Sequence, residues 1–199
     1  MKFATIILAA GASRRMGAPK ALLPWGATSA LGHLIGQWQK LGSEQVTVVH
    51  AADRAIEAEL DRLAFPRSNR ILNPASERGM FSSIQCAANW PGWQPGLTHW
   101  LIALGDQPHL RERTLRALLD FGAAHPERIC QPGRQGRPRH PVLLPKDAFA
   151  QLRDSAAAHL RDFLQAHADN CVVFESDDPG LDLDLDHPAD YEQAIRSAF

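Results

Sequence analysis

Cysteine is scarce, and the three in the chain, Cys86, Cys130 and Cys171, stand far apart, odd in number and without a CxxC pair. That spacing excludes a disulfide framework and a thiolate metal site, and reduced thiols in a cytoplasm are expected. An excess of either charge is missing too: 21 Lys and Arg face 22 Asp and Glu, a formal net charge of −1. No global field is present to grip a nucleic-acid backbone or an anionic membrane, so neither is an expected partner and any anion site must be local. Long apolar runs are absent. Thr5-Ile6-Ile7-Leu8-Ala9-Ala10 is typical, far short of the roughly 20 residues that span a bilayer, and it runs into Arg14-Arg15, which reads as a buried first strand instead of a secretory leader. Repeats and low-complexity tracts are not visible. The histidines at 33, 50, 99, 109, 125, 159, 167 and 187 show no zinc spacing. Trp25, Trp38, Trp90, Trp93 and Trp100 are expected in the core or on a partner surface rather than as base-stacking platforms.

What remains is a chain of 199 residues, 45% hydrophobic and 22% charged, enough for one core and a single domain over residues 1–199. Short β-rich runs alternate with segments of helical period, which predicts an α/β fold with a sheet covered on both faces. Strands are predicted at Phe3 to Ala9, Gln45 to Val49, Trp100 to Leu104, Pro141 to Leu144 and Cys171 to Phe174. Leu31, Leu34, Ile35, Trp38 and Leu41 share a helical face that ends at Gly42. Leu115, Leu118, Leu119 and Gly122 form a second face. Leu152, Ala156, Leu160, Phe163 and Leu164 form a third. The alternation favours parallel pairing. The Pro/Gly-rich stretch from Gln131 to Pro141 reads as a long functional loop.

The most informative segment is Leu8-Ala9-Ala10-Gly11-Ala12-Ser13-Arg14-Arg15-Met16-Gly17-Ala18-Pro19-Lys20. A buried strand empties into a small-residue loop where the backbone amides of Ala9, Ala10 and Gly11 can approach a ligand. Arg15, as a fork, and Lys20, as a point charge, can neutralise a polyphosphate. The spacing is neither GxGxxG nor GxxxxGK[ST]. Asp106, in Gly105-Asp106-Gln107-Pro108, sits where an apolar strand ends, the edge at which open α/β sheets bind ligands, and its hard oxygens suit Mg²⁺; a turn or capping role is the alternative. Asp182, Asp184 and Asp186 alternate with leucines, which in an extended segment puts the carboxylates on one face, either around a cation or as a wet acidic edge. Gly79, Ser82 and Ser83 precede an apolar helix whose N-terminus suits a nucleotide, with ordinary N-capping as the alternative.

These motifs together resemble a family. LAAGxSxRMGxxK followed by LLPW, then Gly79-Met80-Phe81-Ser82-Ser83-Ile84, Gly105-Asp106-Gln107-Pro108, Gly136-Arg137-Pro138-Arg139-His140-Pro141-Val142 and Asp184-Leu185-Asp186-His187-Pro188-Ala189-Asp190-Tyr191 are similar to those of the small MobA-like nucleotidyltransferases, specifically the molybdenum-cofactor cytidylyltransferase-like group. The resemblance implies a three-layer α/β/α Rossmann-like nucleotidyltransferase fold with a mostly parallel sheet. It implies transfer of CMP from CTP to the phosphate of molybdopterin, with Mg²⁺-dependent release of pyrophosphate. Asp106 would be the metal ligand, and Asp186 the better-matching C-terminal carboxylate. Gly79 and Ser83 would hold the nucleotide with the first loop, and the loop bearing Arg137, Arg139 and His140 would face the acceptor, Arg139 standing where the family commonly has Gly. Ala10, within LAAG, favours CTP over GTP. A molybdenum hydroxylase or its maturation factor is an expected partner. Two alternatives stand beside this: GTP or a sugar or polyol phosphate as substrate, and a non-catalytic nucleotide-binding maturation factor.

Overall fold

The strand Phe3–Leu8 (β1) is buried along its length because it is covered on both sides. Ala4, Ile6 and Leu8 enter one core, and Phe3 and Ile7 the other. Side chains alternate across a strand, so a doubly covered one turns both sets into a core, and the polar side chain in β1, Thr5, donates to Ser43 Oγ at 3.0 Å. The computed structural model describes residues 1–11 and 19–198.

After β1 comes a small hairpin, β2 (Pro24–Trp25) and β3 (Thr28–Ser29), then α1 (Ala30–Lys40), whose first turn is capped by the Ser29 hydroxyl accepting from the Gly32 N–H. There follow β4 (Gln45–His50), α2 (Arg54–Arg62), β5 (Arg70–Leu72), α3 (Met80–Ala88), β6 (His99–Leu104) and α4 (Glu112–Ala124). The chain continues through β7 (Ile129–Arg134), β8 (Arg137–Pro138), β9 (Val142–Pro145), α5 (Lys146–Gln151), α6 (Leu160–Ala166), β10 (Cys171–Glu175) and α7 (Pro188–Ala198). The main sheet runs β10-β7-β9-β6-β1-β4-β5, with β8 paired to β7. One core packs α1, α2 and α4 against one face, and the other packs α3, α5 and α6 against the opposite face. This is a three-layer α/β/α nucleotidyltransferase fold. Among the described residues no helix is long and apolar enough to cross a membrane.

Four expectations are corrected. Strand β9 is antiparallel to both β6 and β7; an apolar run buried on both faces carries no sign of its direction. The stretch from Gln131 is not a loop: it belongs to β7, turns through Gln135 (φ 52°) and Gly136 (φ 72°), and returns as β8, the two-residue turn with positive φ at both positions that hairpins favour. The third helical face is split, since α5 stops at Gln151 and α6 starts after His159, whose backbone N–H is held by the Asp162 carboxylate at 3.0 Å. Asp182, Asp184 and Asp186 do not share a strand face. Asp182 closes a 3₁₀ turn and turns to Arg134 and Arg139. Leu185 is locked into a small third core with Trp25, Ala30 and Ala194, with Leu183 packed against it. That packing brings Asp186 to the first loop.

Candidate active site

From β1 the chain moves outward through β4 to β5 and then returns to the other side of β1 to form β6. All three pairings in this half are parallel, so the boundary between β1 and β6 is a topological switch point, with a crevice beyond the strand ends. The register Leu8↔Leu104 makes the next residues neighbours. The Gly105 N–H donates to the Leu8 carbonyl at 2.9 Å, and the Ala9 N–H to that of Val49 at 2.8 Å. The Gly11 loop and Asp106 therefore leave the sheet side by side.

Gly105 is required by that closeness, because a Cβ there would lie 2.7 Å from the Leu8 carbonyl oxygen. Both backbones are held by the sheet and neither can yield. Gly105→Ala is expected to lower stability by about 1–3 kcal/mol, measured from its urea midpoint; an unchanged midpoint would mean that the strand ends can part.

The crevice is a cavity of about 700 Å³ whose walls include Ala9, Ala10, Gly11, Lys20, Gly79, Ser83, Asp106 and Asp186. Eight residues singled out from the sequence thus meet in one place. Lys20 is at the centre: its Nζ donates to Asp106 Oδ2 at 3.0 Å and to Asp186 Oδ1 at 2.7 Å, with its side chain 17% exposed. Burial works against the ammonium charge, but the hydrogen bonds and charges of Asp186 and Asp106 outweigh it and hold the Lys20 pKa above its ordinary value. Asp184 nearby has its pKa raised, first by desolvation and then by the charges of Asp106 and Asp186. Carboxylates are crowded here, and a cation draws two of them together.

Gly79 explains itself by conformation: its φ of 91° with ψ of −178° lies in a region that essentially only glycine occupies. It turns the chain from a 3₁₀ turn at Ser76–Arg78 into α3. Arg15 lies outside the described residues, which omit 12–18. Arg137, Arg139 and His140 are not among the walls of the cavity. Arg137 is exposed on β8. Arg139, with Arg134, grips Asp182 at 2.6–2.9 Å. Burial pushes the His140 imidazole pKa down to about 4, against the Ile102 backbone and the Asp106 charge, and its enclosed Nδ1 has no hydrogen-bond partner among the described residues. Sequence reasoning passed over Asn73, which holds Ser82 and Ser83 from the end of β5; a single Asn after a short strand carries no local signal.

A doubly wound sheet whose first-strand end and a carboxylate lie side by side at its switch point is where α/β proteins bind ligands, and the fold as a whole is that of the nucleotidyltransferases. The chain belongs to the MobA-like NTP transferase domain family, whose pattern matches residues 5–171. It is 33% identical over 141 residues to the bifunctional protein GlmU of Cereibacter sphaeroides, a match covering 66% of this chain and 30% of that protein; the chain therefore spans about a third of the length of these relatives. It is 28% identical over 176 residues to the molybdenum cofactor guanylyltransferase of Rhizobium johnstonii, covering 86% of this chain and 78% of that one. Among solved structures, Rv0371c of Mycobacterium tuberculosis is 25% identical with a TM-score of 0.72 over 98% of each chain. A second structure of Rv0371c is described as a complex with manganese.

Proposed function

We propose that this protein transfers CMP from CTP to the phosphate of molybdopterin. The observation that carries the reading is the convergence of the Ala9–Gly11 loop, Lys20, Gly79, Ser83, Asp106 and Asp186 on one cavity at the switch point. In the proposed reaction an acceptor phosphate oxygen attacks the α-phosphorus in line, the bond from that phosphorus to the bridging oxygen breaks, and pyrophosphate leaves with the electron pair. No covalent enzyme intermediate is needed, so catalysis is positioning and charge neutralisation. The amides of the Gly11 loop, Lys20 and Arg15 stabilise charge growing on pyrophosphate. Gly79 and Ser83 hold the nucleotide, while Arg137, Arg139 and His140 are proposed for the acceptor side.

The donor set fits a hard divalent cation. Asp106 and Asp186 already converge on one positive charge, the Lys20 ammonium. Among the described residues no three His, Cys, Asp or Glu side chains gather as a metal cage, which suits Mg²⁺, an ion that takes one or two carboxylates and completes its shell with phosphate oxygens and water. Asp106 and Asp186 would hold it, and when bound it supplies charge neutralisation on the phosphates.

Ala10 supports CTP. The second reading, GTP, is favoured by the name of the Rhizobium relative. Pyrophosphate release is measured with CTP, GTP and ATP, each with molybdopterin and Mg²⁺. CTP is expected to be the best donor; a GTP preference overturns the cytidylyl assignment, and no release with any of them overturns the transferase reading.

A further inference from the structure

Asn73 follows β5 at the cavity edge of the sheet and is 1% exposed. Its backbone N–H donates to the His50 carbonyl at 2.8 Å, which fixes it to β4. Its side-chain Oδ1 accepts the Ala75 backbone N–H at 2.9 Å. A backbone N–H only donates, so this bond decides which end of the carboxamide is which. Nδ2 therefore faces α3, where its two protons go to Ser82 Oγ at 2.8 Å and Ser83 Oγ at 2.9 Å.

The two serines receive the same bond and differ in the use of their own proton. Ser82 donates to the Gly79 carbonyl at 2.7 Å, with the Ala75 carbonyl also in reach at 3.1 Å. Ser83, 2% exposed and part of the cavity wall, has among the described residues no acceptor for its proton. A hydroxyl carries one donor and two lone pairs. With the Asn73 amide on a lone pair, the Ser83 proton is the group left to be satisfied, and a buried donor left unmade is costly.

We propose that Asn73 is a positioning residue that sets Ser83 as a hydrogen-bond donor into the cavity, where it engages an acceptor atom of the bound nucleotide. The inference rests on the nucleotidyltransferase reading above and deepens it by assigning the polarity of one contact.

The test is titration calorimetry of CTP and of GTP, each with MgCl₂, on the wild type and on Ser82→Ala, Ser83→Ala, Asn73→Asp and the Asn73→Asp/Ser83→Ala double variant. Removing either hydroxyl leaves one Asn73 proton without its acceptor; Ser82→Ala costs more within the fold, since it also takes the donor from the Gly79 and Ala75 carbonyls, whereas only Ser83→Ala removes the donor to the ligand. Ser83→Ala is expected to weaken nucleotide binding about tenfold, while Ser82→Ala stays within about twofold. Asn73→Asp offers the Ser83 proton an acceptor and turns it away from the cavity; the loss it causes is expected to shrink when Ser83 is already Ala, since the donor it diverts is gone. Equal losses in the two serine variants overturn the proposal, as does an Asn73→Asp effect that is the same with and without Ser83. If Asn73→Asp does not fold, the serine pair decides. A wild type that binds neither nucleotide refutes the nucleotidyltransferase reading and this inference with it, a result distinct from binding that is indifferent to Ser83.

Discussion

Asp106→Asn is expected to reduce Mg²⁺-dependent pyrophosphate release by about 10²–10³ while the chain stays folded, the usual cost of removing one preorganised electrostatic group. The substitution keeps the volume and one oxygen of the carboxylate, and Lys20 retains its 2.7 Å bond to Asp186. The strand end is fixed by the Gly105–Leu8 backbone bond, which the side chain does not enter. A change in melting temperature of no more than a few degrees together with the loss of rate is therefore the expected pair of results. Undiminished turnover at saturating CTP would remove Asp106 from the chemistry. Raising the Mg²⁺ concentration in the assay is expected to restore part of the lost rate if the aspartate acts by holding the ion.

Lys20→Met is the second large effect, with an expected loss of about 10² or more in kcat/KM and a titration signature that a structural role alone would not give. Deleting the ammonium removes the positive charge that Asp106 and Asp186 share. Asp184, already held above its ordinary value by burial, Asp106 and Asp186, loses Lys20, one of the charges that lower it. Its pKa is therefore expected to rise further, and carboxyl-carbon NMR should show Asp184 taking up its proton at higher pH than in the wild type. The sign for stability follows. A carboxyl with a raised folded pKa contributes stability below its unfolded pKa, lost as pH rises through the folded value. In Lys20→Met that loss moves to higher pH. An Asp184 titration unchanged by the substitution would mean that the lysine and the carboxylates do not share one field.

The comparison of sequence and structure turns on the range over which each interaction acts. Strand β1 was legible because a short, mostly apolar run has few other uses, and α1 because its apolar face repeats at helical spacing and is closed by Gly42. Strand β5 has three residues, of which only Ile71 is buried, too few for any period. Strand β7 contains Gln131, Pro132 and Gly133, buried by its neighbours β9 and β10 instead of by its own hydrophobicity. In the site, Asp106 was found because strand, Gly, Asp and Pro are consecutive. Asn73 was passed over because the hydroxyls that give it meaning are nine and ten residues away.

Local chemistry alone settled that the chain builds a sheet covered on both faces, that a small-residue loop follows the first strand, and that a carboxylate ends the strand from Trp100. Each of these depends only on neighbours within a few residues. Packing decided the rest: that β9 runs against its neighbours, that Asp182 answers to Arg134 and Arg139 while Asp186 crosses 166 residues of chain to reach Lys20, and that Asn73 leaves Ser83 a proton to give. A side chain's partner is whatever the fold brings within about 3 Å of it, and here the folded position of Asp186 is set by the packing of Leu185 and Ala194 against Trp25, contacts between segments that lie at opposite ends of the sequence.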